Sequence, residues 1–204
     1  MDNDKTTKSL VIPTYTVSDY LEGLALKCIE SHRGKVDEII VTEDGGKFSK
    51  KLKEAADIYI YGKENVGFTK NVNRGWRQAT KGFTFIVNSD TRLVSGNLRD
   101  LCDPDHVTSP QIDKGGFGSY FVVPAWMQNF GMLDERMRLY YSDVDYFERI
   151  KKFYRKEDRV VVSHQKASST KRADKEIISG QQIIDMNTYD KIVKEEHPER
   201  RTDI

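Results

Sequence analysis

The chain has 204 residues, of which 37% are hydrophobic, 32% charged and 10% aromatic. That length suits one domain with at most a small appendage, and the aromatic share excludes an intrinsically disordered chain. With 33 Lys and Arg against 32 Asp and Glu the formal charge is +1, so no whole-protein field draws the chain to nucleic acid or a membrane.

Residues 1–8 form a polar extension without the apolar core of a signal peptide. No run approaches the ~20 apolar residues that a membrane-spanning helix needs. Cys28 and Cys102 stand far apart with no CxxC spacing. They are expected as free, buried or half-buried thiols in a reducing cytoplasm.

Ser9-Leu10-Val11-Ile12 reads as a strand stopped at Pro13. A helix is expected from Tyr20 to Ser31, where Leu21, Leu24, Ala25, Cys28 and Ile29 recur at helical spacing. Glu38 to Thr42 is a second strand and Lys47 to Ala56 a polar helix. Asp57 to Tyr61 is a third strand, Thr69 to Thr80 a third helix, and Phe83 to Val87 a fourth strand. The strands are short and almost continuously apolar, as parallel strands covered on both faces are. The expected fold is α/β: a doubly wound, mostly parallel sheet with helices on both faces.

The second half reads differently. Ser119 to Val123 is a strand, Ala125 to Phe130 a short helix, and a longer helix runs through Tyr154. Arg159 to His164 is a last strand. Gln165 to Lys175 is polar and reads as a mobile loop, and the Ile-rich stretch after it suits one or two amphipathic helices. The boundaries are 1–8 for the extension, 9–173 for the domain and 174–204 for a helical tail.

Ligands of such sheets lie beyond the carboxyl ends of the strands. Four segments fall there: Pro13-Thr14-Tyr15, Glu43-Asp44-Gly45, Asn65-Val66-Gly67 and Asn88-Ser89-Asp90. Asp90 suits a hard divalent cation held against a diphosphate; an Asx-capped turn is equally open on position alone. Asp44 suits a base N–H or a sugar hydroxyl, or else a solvated turn. The string from Asn65 to Gly75 joins a Gly to a helix N-terminus and to the bases Lys70 and Arg74, which suits phosphate. Asp143 and Asp145 stand at a helix start, either as a general base or as capping carboxylates. His164 ends a strand; its imidazole suits a transition metal, though a single His near a strand end is more often an ordinary polar residue. From Lys151 to Lys175 nine basic residues face three acidic ones, a net +6. That is a solvated face or an anion-binding rim.

In this order the segments resemble the inverting family 2 glycosyltransferases of the GT-A fold, from about Leu10 to Ser169. Ser-Leu-Val-Ile-Pro-Thr-Tyr is similar to the family's opening strand, Glu-Ile-Ile-Val-Thr-Glu-Asp-Gly-Gly to its acidic second-strand end, and Phe-Ile-Val-Asn-Ser-Asp-Thr to its DxD segment, with Asn88 in the first Asp position. Tyr-Tyr-Ser-Asp-Val-Asp resembles the acceptor-side motif, with Ser142 replacing the usual acid. The resemblance implies a sugar-transferring enzyme. Residues 9–91 are its nucleotide-sugar half and 92–173 its acceptor half. It implies donor contacts at Pro13, Thr14, Tyr15, Asp44, Asn65, Gly67, Lys70, Asn73 and Ser89. Mn²⁺ or Mg²⁺ falls to Asp90 and His164, and the base to Asp143 or Asp145. A UDP-sugar is the leading donor. A glycan, lipid-linked sugar, small molecule or modified nucleic acid is open as acceptor, and the oligomeric state is unread. A nucleotidyltransferase and a non-catalytic nucleotide-sugar- or glycan-binding module are the alternatives. The first lacks its expected Gly-rich loop after the first strand, where Pro13-Thr14-Tyr15-Thr16 stands instead.

Overall fold

The computed structural model describes residues 6–165 and 175–197, with side chains from 179 onward in the second stretch. Eight strands form one sheet in the order β3-β2-β1-β4-β7-β6-β8-β5. Strands β1 (Lys8–Thr14), β2 (Glu38–Asp44), β3 (Ile58–Gly62) and β4 (Phe83–Val87) pair in parallel. Helices α1 (Asp19–His32), α2 (Lys50–Ala55) and α3 (Phe68–Trp76) connect them. The remaining strands are β5 (Thr91–Ser95), β6 (Val107–Ile112), β7 (Tyr120–Pro124) and β8 (Tyr154–His164). β7 runs antiparallel to β4 and β6, and β5 antiparallel to β8. The sheet is therefore mixed rather than wound in one direction throughout.

Alternation along each strand divides the core. Leu10, Ile12, Val41, Phe85 and Val87 pack on one face with Cys28 and Ile29 of α1 and Leu52 of α2. Val11, Ile40 and Ile86 pack on the other with Val72 and Trp76 of α3 and with Tyr146 of α4 (Ser142–Ile150). Burying each such side chain contributes about 1.5–3 kcal/mol.

The structure departs from the sequence reading at four places. β1 continues through Pro13 to Thr14. Its pairing with β4 ends at Val11, so the N–H that Pro13 lacks is missed only where that neighbour has stopped. β5 has no counterpart in the sequence reading, because it is short, exposed at Val94 and follows directly on the polar residues Asn88 to Asp90. β6 carries Ser109, Pro110 and Gln111, residues that argue against a strand; the register shifts between Pro110 and Gln111 to admit the proline. α4 ends at Ile150, and β8 begins at Tyr154, five residues before the expected start. Arg155 and Lys156 thus lie on a strand, because pairing with β6 overrides their helical preference. Trp126 is 48% exposed and donates its indole N–H to the Pro104 carbonyl.

The last helix, α5 (Lys175–Glu195), is one continuous element. No described helix is long and apolar enough to cross a membrane.

Candidate active site

The carboxyl ends of β1, β2, β3 and β4 share one edge of the sheet. The start of β7 and the end of β8 reach the same edge, since Tyr120 pairs with Val87 and His164 with Thr91. The segments singled out in sequence therefore meet there.

The acidic end of β2 is buried. Glu43 accepts from the Thr14 hydroxyl at 2.8 Å and from the N–H groups of Thr16 and Gly46 at 2.8 and 3.0 Å, with a further bond from the Thr16 hydroxyl. It ties the β1 exit to the β2 exit. Asp44 accepts from the N–H groups of Val66 at 2.8 Å and Gly67 at 2.9 Å. Burial holds its carboxyl above the ordinary range, against the pull of those two N–H groups and of Arg74. Asp44 is therefore no solvated turn; it holds the loop before α3 in place while keeping lone pairs for a ligand.

Around this edge Pro13 and Thr14 are buried, Tyr15 is exposed and Ser89 is half-buried. The Asn65 carbonyl and Oδ1 both accept from Arg138, at 2.9 and 3.0 Å. Gly67 caps α3 at φ 95°, and a Cβ there would meet the Arg138 carbonyl oxygen at 2.8 Å, so only glycine fits. Lys70 is exposed on the first turn of α3. Asn73 is buried, and its amide faces the protein: it donates to the Leu133 carbonyl at 2.8 Å and to Glu135 at 3.0 Å, and accepts from the Leu133 N–H at 3.2 Å. That geometry makes it a bridge from α3 to the loop before α4.

Asp90 and His164 meet. His164 Nδ1 lies 2.7 Å from the Lys114 carbonyl, which only accepts, so Nδ1 carries the proton. Nε2 faces Asp90 Oδ1 at 3.1 Å. In neutral imidazole that sets a lone pair against a carboxylate oxygen, and a proton or a cation between them relieves the conflict. Burial disfavours the imidazolium, but the Asp90 carboxylate outweighs it and raises the His164 pKa. In the same turn Asn88 Oδ1 is buried with no hydrogen-bond partner. An oxygen, an imidazole nitrogen and an unsatisfied amide oxygen suit a divalent cation completed by diphosphate oxygens. Among the described residues no three His, Cys, Asp or Glu side chains form a cluster of their own.

Asp143 and Asp145 have different surroundings. Asp145 is buried and bonded to Arg149 at 3.0 Å, and Arg149 in turn donates to the carbonyls of Phe130 and Met132, both at 2.6 Å. Asp143 accepts from N–H groups at the start of α4, and burial raises its carboxyl pKa. Tyr141, just before the helix, has φ 62°, the single non-glycine residue with positive φ among those described. Ser142, at the position of the usual acid, is buried and accepts from the Thr69 hydroxyl at 2.9 Å.

One loop joins the two halves. A Cβ on Gly115 would meet His164 Nδ1 at 2.7 Å, and one on Gly118 would meet Asp143 Cβ at 2.7 Å. The Ser119 hydroxyl lies 3.3 Å from His164 Nδ1, and the Ser119 carbonyl accepts from the Asn88 N–H at 3.0 Å. Gly115 to Ser119 thus stands between the Asp90–His164 pair and Asp143. Sequence reasoning treated this stretch only as the lead-in to β7. Three glycines in four residues were the available signal, marking a close backbone approach.

The expected loop, Gln165 to Lys175, lies outside the described residues except at its ends. Gln165 donates its N–H to the Asp90 carbonyl at 3.0 Å, and its side chain accepts from the Tyr20 hydroxyl at 2.9 Å. The +6 segment is largely paired where described: Lys151 with Glu148, Arg155 with Asp103, Lys156 with Asp158 and Arg159 with Glu157.

The family model for glycosyl transferase family 2 matches residues 9–177. No curated protein matches the chain. Among solved structures the chain is similar to GalNAc-T7 with UDP, GalNAc and Mn²⁺, at 12% identity and a TM-score of 0.67, over 78% of this chain and 43% of that one. It is similar to the mannosyltransferase PcManGT from Pyrobaculum calidifontis in complex with GDP-Man and Mn²⁺, at 16% identity and 0.59, over 79% and 58%. It is also similar to glucosyl-3-phosphoglycerate synthase from Mycobacterium tuberculosis in complex with Mn²⁺, UDP and glucosyl-3-phosphoglycerate, at 12% identity and 0.58, over 89% and 77%. The chain spans less than two thirds of the first two structures. These likenesses establish the GT-A fold.

Proposed function

The chain belongs to glycosyl transferase family 2, and on that premise we propose that it moves a sugar from a nucleotide-diphosphate sugar to an acceptor hydroxyl, with inversion. The observation that carries this reading is the loop from Lys114 to Ser119, which touches His164, Asn88 and Asp143 at one edge of the sheet. It gives a cation-holding pair and a proton-accepting carboxylate a common boundary.

Asp143 takes the proton of the acceptor hydroxyl. The freed oxygen pair attacks the anomeric carbon from the face opposite the leaving group. The bond from that carbon to the diphosphate oxygen breaks, and the nucleoside diphosphate departs with the electrons. One displacement inverts the configuration, with no covalent enzyme intermediate. Burial raises the Asp143 carboxyl, which makes its carboxylate a stronger proton acceptor than an exposed aspartate. Asp145, tied to Arg149, positions the loop before α4 rather than touching the acceptor.

Asp90 and His164 would hold Mn²⁺ or Mg²⁺, with Asn88 Oδ1 close by. The cation supplies Lewis-acid neutralisation of the leaving diphosphate. Pro13, Thr14 and Tyr15 border the nucleotide, and Asp44 holds Val66 and Gly67 beside it. The exposed Lys70 and Asn65 lie at the donor side, and Ser89 lies between the nucleotide and the cation. UDP leads as donor nucleotide, and a glycan, a lipid-linked sugar or a small molecule serves as acceptor. The free thiols Cys28 and Cys102 suit a reducing cytoplasm.

A thermal-shift screen of UDP-glucose, GDP-mannose and related nucleotide sugars, with and without Mn²⁺, tests the reading. A ligand at a hundred times its Kd adds about 2.7 kcal/mol of stability. The expected result is a metal-dependent shift with at least one donor, followed by nucleoside diphosphate release and a product of inverted anomeric configuration on NMR. No shift and no release with any donor overturns it.

A further inference from the structure

The Asp185 carboxylate, buried on α5, accepts three consecutive backbone N–H groups: Arg138 at 2.9 Å on Oδ1, and Leu139 at 2.8 Å and Tyr140 at 2.9 Å on Oδ2. Gln181, one helical turn earlier, donates to Oδ1 at 2.8 Å. A carboxylate has about four lone-pair positions, so this one is saturated by the protein. It organises a loop.

That loop leads straight into the catalytic end of α4. After Tyr140 comes Tyr141, held in the left-handed region at φ 62°, then Ser142 and Asp143. A tyrosine keeps such a conformation only where its surroundings impose it. α5 supplies two further constraints. The Tyr189 ring stacks on Tyr141, centroids 5.7 Å apart and planes 22° off parallel. Glu196, just past the helix, accepts from Arg136 at 2.5 and 3.1 Å. α5 therefore grips the segment from 136 to 141 at its start, middle and end. The donor loop does not depend on this grip alone, because Asp44 holds Val66 and Gly67 from β2.

We propose that Asp185 is a positioning residue for sugar transfer, whose carboxylate fixes the 138–140 backbone, keeps Tyr141 in its strained turn and so aims Asp143 at the acceptor hydroxyl. The proposal rests on the reading of Asp143 as general base. Asp185→Asn keeps the shape and hydrogen-bonds through one oxygen only, while its amide nitrogen confronts a backbone donor. A lengthened carboxylate, Asp185→Glu, keeps the charge but shifts the three acceptor positions.

The test measures turnover of UDP-glucose and GDP-mannose with Mn²⁺, affinity for UDP with Mn²⁺, and hydrogen exchange of the 138–140 amides, in the full chain. Misplacement of a reacting group by about 1 Å costs on the order of 10²-fold. Asp185→Asn should lower kcat by about ten- to a hundredfold, leave UDP affinity within about twofold, and speed exchange at 138–140. Tyr189→Ala, which leaves the carboxylate in place, should give a smaller loss of the same kind. Lys191→Ala, exposed on the same helix, should match the wild type. Unchanged kcat in Asp185→Asn with faster exchange overturns the positioning role. So does a loss of kcat that only tracks lost UDP affinity and a lowered melting midpoint, which marks a purely structural residue. If Asp185→Asn does not fold, an unchanged kcat in Tyr189→Ala overturns the proposal. A wild type that turns over no donor, while exchange at 138–140 still responds to Asp185→Asn, overturns the functional reading and the role built on it.

Discussion

Gly118 packs directly against Asp143. A Cβ on Gly118 would overlap Asp143 Oδ2 and stand 2.7 Å from both Cβ and Cγ of the aspartate. The carboxylate is thus bounded on one side by bare backbone, and its rotamer is set by the absence of a side chain.

Gly118→Ala should therefore displace the base without disturbing the donor side. The expected outcome is a fall in kcat on the order of 10²-fold, as for a misplacement of about 1 Å, with UDP and Mn²⁺ affinity retained. Steady-state kinetics beside calorimetry would check it. Parallel loss of both would show that the loop, rather than the carboxylate, had moved.

Asp143→Asn should retain donor binding and lower transfer by about 10²–10⁴, the range for a general base. Burial raises the carboxyl above its ordinary 3.8, so kcat/KM should fall as pH drops through that raised value. The stability effect has the opposite sense. A carboxyl whose folded pKa is raised binds its proton more tightly when folded, so ionising it destabilises the fold as pH rises. Asp143→Asn should accordingly melt no lower than the wild type at pH 7, and higher if the burial cost is fully relieved. A base-independent acid limb in the pH–rate profile of Asp143→Asn would contradict the assignment.

Asp90→Ala should abolish the Mn²⁺-dependent part of nucleotide binding. His164→Ala should weaken it by about tenfold or more, since even outer partners of metal ligands cost 10–100-fold when removed. Nucleotide titrations with Mn²⁺ and with chelator measure both. Equal nucleotide affinity with and without chelator in the wild type would exclude the cation role.

His32 sets part of the acid sensitivity of the fold. It is buried between the Cys28 carbonyl, 2.8 Å from Nδ1, and the Tyr120 hydroxyl, 3.0 Å from Nε2. Burial lowers its pKa from 6.5 to about 4. The unfolded chain then binds more protons between those values, so the stability His32 contributes is complete above pH 6.5 and is lost as pH falls toward 4. A shift of that size corresponds to up to about 3 kcal/mol. His32→Gln should flatten the slope of urea-derived stability between pH 6.5 and 4. An unchanged slope would mean that other groups carry it.

Much of the donor half was legible because its signals are local. Short apolar runs that stop at or just before Pro13, Gly45 and Asn88, with helical spacing between them, declare a strand–helix alternation within a few residues of each boundary. β5, β6 and the first half of β8 were not legible, since Ser109, Pro110, Arg155 and Lys156 become strand residues only through pairing with distant partners. The family resemblance assigned Asp90 and His164 to one cation, and the fold brings the two side chains to 3.1 Å. Gly118, Ser119 and Asp185 were not, because each acts through a neighbour 25 or more residues away.

The amino-acid order alone determined the fold class and the acids that end the strands, since strand and helix periodicity are short-range properties. Tertiary structure decided which of two nearby carboxylates is buried against Arg149 and which meets the glycine loop. Residues two apart on a helix point about 200° away from each other. Asp143 and Asp145 therefore face different neighbours. Arg149 lies one turn along the same helix, but Gly118 comes from the loop before β7 and the Phe130 and Met132 carbonyls that hold Arg149 come from the loop before α4, distances over which local pattern carries no information.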